Sequence, residues 1–176
     1  TNTEIRVMKK RYVCPRVCGV LLTLTVTLSA CSNMVSVEQA LGPSQAPAQP
    51  LTRAGQQQLD DVKATIYRQY RQWQGTGYAY GGIGKNGLDC SGLVYITYRD
   101  ELGVSMPRTT AQQRFAGSPV RRDQLRAGDL VFFKTSYKSR HVGIYIEDKK
   151  FLHVSTSKGV MISRLDDYYW KDRFTQ

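Results

Sequence analysis

The segment "NGLDCSGLVYITYRDELG", residues 86–103, constrains this chain more than any other. Asp89 is a natural N-cap and Gly103 a natural terminator, so the spacing predicts a helix over about 90–102. Leu93, Val94, Ile96, Tyr98 and Leu102 wrap most of its circumference. A helix that is apolar nearly all round must be enclosed by other elements, so this one has to be central. The rest of the domain must be built around it.

The flanking sequence supplies the material. Upstream, "GQQQLDDVKATIYRQYRQW" sets Leu59, Val62, Ile66, Tyr70 and Trp73 at helical spacing, a core-facing stripe. Between the two helices, "GTGYAYGGIGKNG" is too glycine-rich for regular structure, with room for a short extended segment at "GYAYG". Its spacing fits no phosphate-binding pattern, so it is expected to shape a loop against a cleft. Downstream, "MPRTTAQQ" predicts a short helix opened by a capping box, with Thr109 or Thr110 paired to Gln112 or Gln113. "LRAGDLVFF" predicts a turn at Gly128-Asp129 into a buried strand over 130–133. "HVGIYIEDKKFLHVS" alternates as a hairpin, with Val142, Ile144 and Ile146 on one face and His141, Gly143 and Tyr145 on the other. "GVMISRL" adds a further strand, and "DDYYWKDRF" a closing turn or short helix. Helices first and strands afterwards imply an α+β fold with an antiparallel sheet.

The first 54 residues contribute nothing to that core. Met8 reads as the start of an export signal, in which Lys9, Lys10, Arg11 and Arg16 precede an apolar stretch over 19–28. That stretch is too short to span a bilayer as a stable helix. It ends in Leu28-Ser29-Ala30-Cys31, which resembles the bacterial lipobox. The resemblance implies cleavage before Cys31, a diacylglyceryl thioether on its sulfur and an acylated amine, anchoring the chain to a membrane. Ser32 after the lipidated cysteine suggests the outer membrane of a Gram-negative cell. Residues 31–54, with "GPSQAPAQP", read as an extended linker that reaches tens of ångströms at about 3 Å per residue. Domain organisation is therefore signal peptide 1–30, lipidated linker 31–54 and a folded domain 55–176.

Removing residues 1–30, with five basic residues against Glu4, lowers the formal net charge from +11 to +7. A basic surface suits an acidic polymer or anionic lipid. No Lys/Arg run interleaved with aromatics is present, so nucleic acid is the weakest partner class.

Cysteine usage then singles out one atom. Cys14 and Cys18 leave with the signal and Cys31 is taken by lipid, so Cys90 is the sole free thiol of the mature chain. In an oxidising compartment an unpaired thiol is a liability unless buried or used. A structural cysteine is usually found mid-helix among apolar residues. Cys90 instead opens a helix between Asp89 and Ser91, where free backbone N–H groups and the helix dipole favour thiolate. The two histidines of the chain, His141 and His153, both lie in the hairpin. A thiol nucleophile needs a base and a third group to orient it, and a helix packed on that hairpin supplies all three. A metal site fits less well, because no closely spaced ligand pair is present; no metal or cofactor is expected.

In this order, "YAYGGIGKNGLDCSGLV", "MPRTT", "AGDLVFF", "HVGIYI" and "FLHVS" resemble the NlpC family of bacterial cell-wall cysteine endopeptidases over roughly residues 60–176. The resemblance implies a papain-like fold with Cys90 as nucleophile, His141 as general base and acid, His153 orienting His141, and Tyr78 at the oxyanion region. It implies peptidoglycan stem peptides or cross-links as substrate, cleaved through a thiol-acyl intermediate, and leaves an adaptor lipoprotein open as a further partner. A non-catalytic cell-wall-binding lipoprotein, or a papain-like amidase or acyltransferase, are the alternatives.

One geometric requirement follows. His141 and His153 face each other directly only if the hairpin is centred on Glu147. A plain two-residue turn at Asp148-Lys149 would pair Ile144 with His153 and put the imidazoles on opposite faces. A tighter or odd-numbered turn, or a bulge, is therefore expected.

Overall fold

The computed structural model describes residues 51–176; the expectations for the signal segment, Cys31 and the linker as far as residue 50 lie outside the described residues. Helix α1 (Arg53–Trp73) opens on Thr52, whose hydroxyl accepts from Gly55 N–H at 3.2 Å. Val62 and Ile66 of the expected stripe are buried, Leu59, Tyr70 and Trp73 partly so, and Gln69 is also buried. Gln69 accepts from Trp73 Nε1 at 3.0 Å and donates to Glu101 Oε1 at 3.0 Å, so its amide is satisfied where the stripe alone would place an apolar residue.

The glycine-rich stretch carries a two-residue ribbon, β1 (Ile83–Gly84) with β2 (Gly87–Leu88). Tyr78 bridges alongside Leu88, through Leu88 N–H to Gly77 O and Ala79 N–H to Leu88 O, both 3.0 Å. The central helix then begins as α2 (Cys90–Ile96), with Asp89 as N-cap. It continues as a π-helical turn over Thr97–Glu101 and stops at Gly103, whose φ of 64° favours glycine. The expected span is right, but its second half is wider than an α-helix. Leu93 and Tyr98 are at most 1% exposed, and burying each such side chain contributes roughly 1.5–3 kcal/mol. A short α3 (Thr110–Gln113) follows its Thr109 cap.

Strands β3 (Leu130–Lys134), β4 (Arg140–Tyr145), β5 (Lys150–Ser155) and β6 (Gly159–Arg164) form one antiparallel sheet in chain order. The helices and this sheet make an α+β fold of papain type. Alternation splits the sheet into two faces. Phe132, Val142, Ile144, Leu152, Val154 and Val160 pack against the helices. Val131, Phe133 and Phe151 face the other way, where the C-terminal segment covers them with Leu165 and Trp170.

The hairpin between β4 and β5 pairs Ile144 with Leu152 and Tyr145 with Phe151, so it is centred on Asp148. Asp148 and Lys149 form a tight turn with φ of 48° and 64°, closed by Lys150 N–H to Glu147 O at 2.7 Å. Ile146 N–H also bonds Lys150 O at 2.9 Å, leaving Glu147 as an extra residue. A tight turn plus a one-residue bulge is thus what shifts the register, as the parity of the two histidines requires. Direct facing is not what results. Continued from this register, His153 lies opposite Gly143, and His141 sits on the same face but two residues away, a diagonal neighbour. The bulge is held by Glu147, which accepts from Tyr67 Oη at 2.9 Å and pairs with Lys63 at 3.1 Å.

Candidate active site

Cys90 is positioned by the residue before it. Asp89 Oδ1 accepts from Gly92 N–H at 2.6 Å, Ser91 Oγ at 3.0 Å and Arg108 Nη1 at 2.9 Å. Its Oδ2 accepts from Gly81 N–H at 2.8 Å and Arg108 Nη2 at 2.9 Å. One carboxylate thus ties the glycine-rich loop, the helix start and the "MPRTT" segment together. Burial pulls its pKa up, but the bidentate arginine, Gly92 N–H and the Ser91 hydroxyl together hold it below the ordinary carboxylate value. Gly92 is required here. A Cβ at this position would lie 2.2 Å from Gly82 O, the carbonyl that also accepts from Arg108 Nη2 and Asp89 N–H. The missing side chain lets the loop that bears Tyr78 press onto the helix.

The sheet brings its own half of the site from the opposite face. His141, His153 and their ring partners belong to the aromatic side, away from α2, rather than to the helical side that a simple helix-on-sheet picture suggests. The meeting point is created by β4. Phe132 spends its N–H on Gln176 O and its carbonyl on Thr175 N–H, so Phe132–Val142 is a non-hydrogen-bonded pair. Val142 N–H therefore points towards β5. The paired positions between β4 and β5 are Ile144–Leu152 and Tyr145–Phe151, nearer the turn, and Val142 N–H lies outside that ladder, near enough to Cys90 to pull its thiol down against burial. The thiol thus lies near the backbone one residue from His141.

His141 Nε2 and His153 Nδ1 are 3.0 Å apart, with the rings edge-on. His153, 1% exposed, places its Nε2 2.9 Å from Ser163 Oγ. Trp170 stacks on His141 at 5.1 Å between ring centres, and Phe151 stacks on His153 at 4.9 Å. Gly143 makes room for this cover, since a Cβ there would lie 2.5 Å from Phe151 Cδ2. Burial among these rings lowers His141 from 6.5 to about 4 and, with the neighbouring His141, lowers His153 to about 3. Both imidazoles are neutral at pH 7.

The thiol departs from the expectation of a resting thiolate. Burial pushes Cys90 above its ordinary value, and the opposing Val142 N–H, the Thr110 hydroxyl at 3.8 Å and the Ser91 N–H do not cancel it. The helix-start donors are present, but desolvation outweighs them. Burial thus holds both the thiol and the imidazoles in their neutral forms. Tyr78 is 39% exposed, and its phenol is raised first by burial and then by the field of Cys90, which places it near the thiol.

Four contributors were not legible as site residues: Arg108, Thr110, Ser163 and Trp170. Arg108 and Thr110 lie in "MPRTT", yet nothing local pairs that motif with Asp89 or Cys90. Ser163 shares the parity of His153 only once the β5–β6 register is known.

With this geometry in view, residues 75–176 match the NlpC/P60 family. The chain belongs to that family. It is 41% identical over 167 residues to the murein DD-endopeptidase MepS/murein LD-carboxypeptidase of Escherichia coli K12, covering 88% of this chain and 87% of that protein. It is 48% identical over 117 residues to the protein of the same organism named "Probable endopeptidase NlpC", covering 65% and 76%. Among solved structures, a protein of Staphylococcus aureus Mu50 described as similar to lipoprotein, NLP/P60 family, superimposes with a TM-score of 0.58 at 32% identity. The match covers 65% of this chain and 40% of that longer one.

Proposed function

We propose that the protein is a lipid-anchored cysteine endopeptidase that hydrolyses amide bonds in peptidoglycan stem peptides or cross-links. What supports this reading is that Cys90 opens α2 close to Val142 N–H, one residue from His141, whose Nε2 lies 3.0 Å from His153 Nδ1. That leaves His141 Nδ1 as the ring nitrogen able to face the thiol. The relative named above as a murein endopeptidase supports the substrate class, and the one named as a probable endopeptidase supports the reaction.

Acyl transfer on this frame proceeds in two halves. His141 Nδ1 takes the Cys90 proton as the sulfur attacks the carbonyl of a stem-peptide amide. A backbone N–H at the start of α2, with the Tyr78 hydroxyl, stabilises the oxyanion. The imidazolium gives its proton to the leaving amine, then neutral His141 activates water to release the acyl group from sulfur. His153 orients His141 throughout. No cofactor or metal takes part in these steps.

Lipidation of Cys31 would hold the domain at the outer membrane, facing the periplasm, with the linker setting its reach into the wall. Among the described residues no helix is long and apolar enough to cross a membrane. Incubating purified peptidoglycan with wild type and Cys90→Ala, and weighing the released fragments, tests the assignment. Fragments from wild type alone are expected, and their masses separate cross-link cleavage from stem-peptide cleavage and amidase action. Equal digestion by Cys90→Ala would remove Cys90 as nucleophile.

A further inference from the structure

His141, His153 and Ser163 lie on three successive strands and form a straight diagonal across one face of the sheet. His141 is displaced from His153 towards one end, and Ser163, opposite Phe151, is displaced towards the other. Each step along this line is a hydrogen bond, 3.0 Å and then 2.9 Å. Ser163 thus occupies the far end of the chain of groups that begins at the base.

A neutral imidazole carries one N–H and one lone pair, so the line has two self-consistent proton arrangements. In the first, His141 Nε2–H donates to His153 Nδ1, and His153 Nε2–H donates to the Ser163 hydroxyl oxygen. His141 Nδ1 then bears a lone pair and can accept the Cys90 proton. In the second, Ser163 O–H donates to His153 Nε2, His153 Nδ1–H donates to His141 Nε2, and His141 Nδ1–H already holds a proton. The second arrangement cannot remove a proton from the thiol. His153, buried with both nitrogens engaged and packed on the Phe151 and Trp170 rings, is screened from solvent, so its neighbours in the line decide between them.

We infer that Ser163, only partly buried and so able to spend its own O–H on solvent, is a positioning residue that selects the productive tautomer, by accepting from His153 Nε2–H and so keeping the proton of His141 on Nε2. This rests on the reading of His141 as general base, but the tautomer itself is measurable without any substrate. The proton balance is simple. The thiol proton moves to His141 Nδ1, the Nε2–H bond stays intact, and Ser163 neither gains nor loses a proton in the step.

Three variants separate this role from a packing role. Ser163→Thr keeps the hydroxyl, Ser163→Val matches threonine in shape without it, and Ser163→Ala removes both. Nitrogen-15 imidazole spectra of the intact domain at neutral pH should show His141 and His153 protonated at Nε2 in wild type and Ser163→Thr. Ser163→Val and Ser163→Ala should show an increased share of Nδ1–H forms in both rings. With peptidoglycan as substrate, Ser163→Val should lose at least about tenfold in kcat with little change in KM, while Ser163→Thr should lose much less. Wild-type tautomers in Ser163→Val would overturn the inference, whatever the activity. Unaltered tautomers with a lowered melting temperature would assign Ser163 to packing alone. Shifted tautomers in a protein that never cleaves peptidoglycan would uphold the positioning role and reject the enzymatic reading instead.

Discussion

The two halves of the site are built from opposite materials. Around Cys90, position is set by a polar clamp: one carboxylate, a bidentate arginine, a serine hydroxyl and two backbone N–H groups. Around the histidines it is set by rings, with Phe133, Phe151 and Trp170 enclosing a short hydrogen-bonded line. The difference follows from what each half must do. A thiol on a short helix start needs its backbone fixed against a flexible glycine loop, and charge-assisted bonds are directional enough for that. If His141 is the base proposed above, it must stay neutral, and desolvation serves that by penalising its charged form.

That contrast can be broken from either side. The largest effect belongs to the proposed nucleophile, where Cys90→Ala should cost at least about 1,000-fold in turnover of purified peptidoglycan, because nothing else in the clamp can form the acyl bond. Next is the aromatic cover. Trp170→Ala should lower stability by about 3–5 kcal/mol in urea unfolding, and should also hydrate His141. In wild type the acid limb of kcat/KM should fall near pH 4, where His141 gains a proton and ceases to be a base. In the variant that limb should move back towards 6.5; a limb already at 6.5 in wild type would show the box does not desolvate the base.

Cutting the clamp should be gentler and should leave that limb in place. Arg108→Met leaves a mostly buried Asp89 carboxylate without its charged partner, at a cost of about 2 kcal/mol after allowing for the partial exposure of the arginine. Turnover should fall while the acid limb stays near pH 4.

The two halves should also fail in different pH windows. The lowered histidines make no demand on stability above 6.5. As pH falls from 6.5 towards about 4 and 3, the unfolded chain takes up protons that the native rings refuse, so stability drops. Asp89 is lowered from 3.8, so the stability it contributes is complete above that value and is lost only on further acidification. Urea midpoints measured from pH 7 to 3 should therefore begin to fall before the carboxylates titrate, and His153→Asn should flatten that first slope. The smallest effect is at the hairpin turn. Lys149 holds a φ of 64°, and Lys149→Gly should raise stability by about 0.5–1 kcal/mol, since its ion pair with Asp166 is exposed.

How far the sequence carries depends on the range of the forces involved. The start of α2 at Cys90, a cap at Thr109 or Thr110, the strand after Gly128-Asp129 and the facing of Val142 and Ile144 all follow from neighbours a few residues apart. Caps and periodicities are local, so these were legible. The even parity of the hairpin register was also deducible, because two histidines on one face leave few turns that work. The π-helical turn over Thr97–Glu101 carried no comparable signal.

What only the tertiary structure decided is how distant groups meet. Asp89 finds Arg108 across 19 positions, and Trp170 reaches His141 from the C-terminal segment. Val142 N–H comes to act on Cys90 because Phe132 binds residues 175 and 176, turning Val142 N–H away from β3. The protonation of the thiol went the same way. Its position at a helix start is local and favours thiolate, but the desolvation that overrides it comes from everything packed around it, which no window of sequence contains.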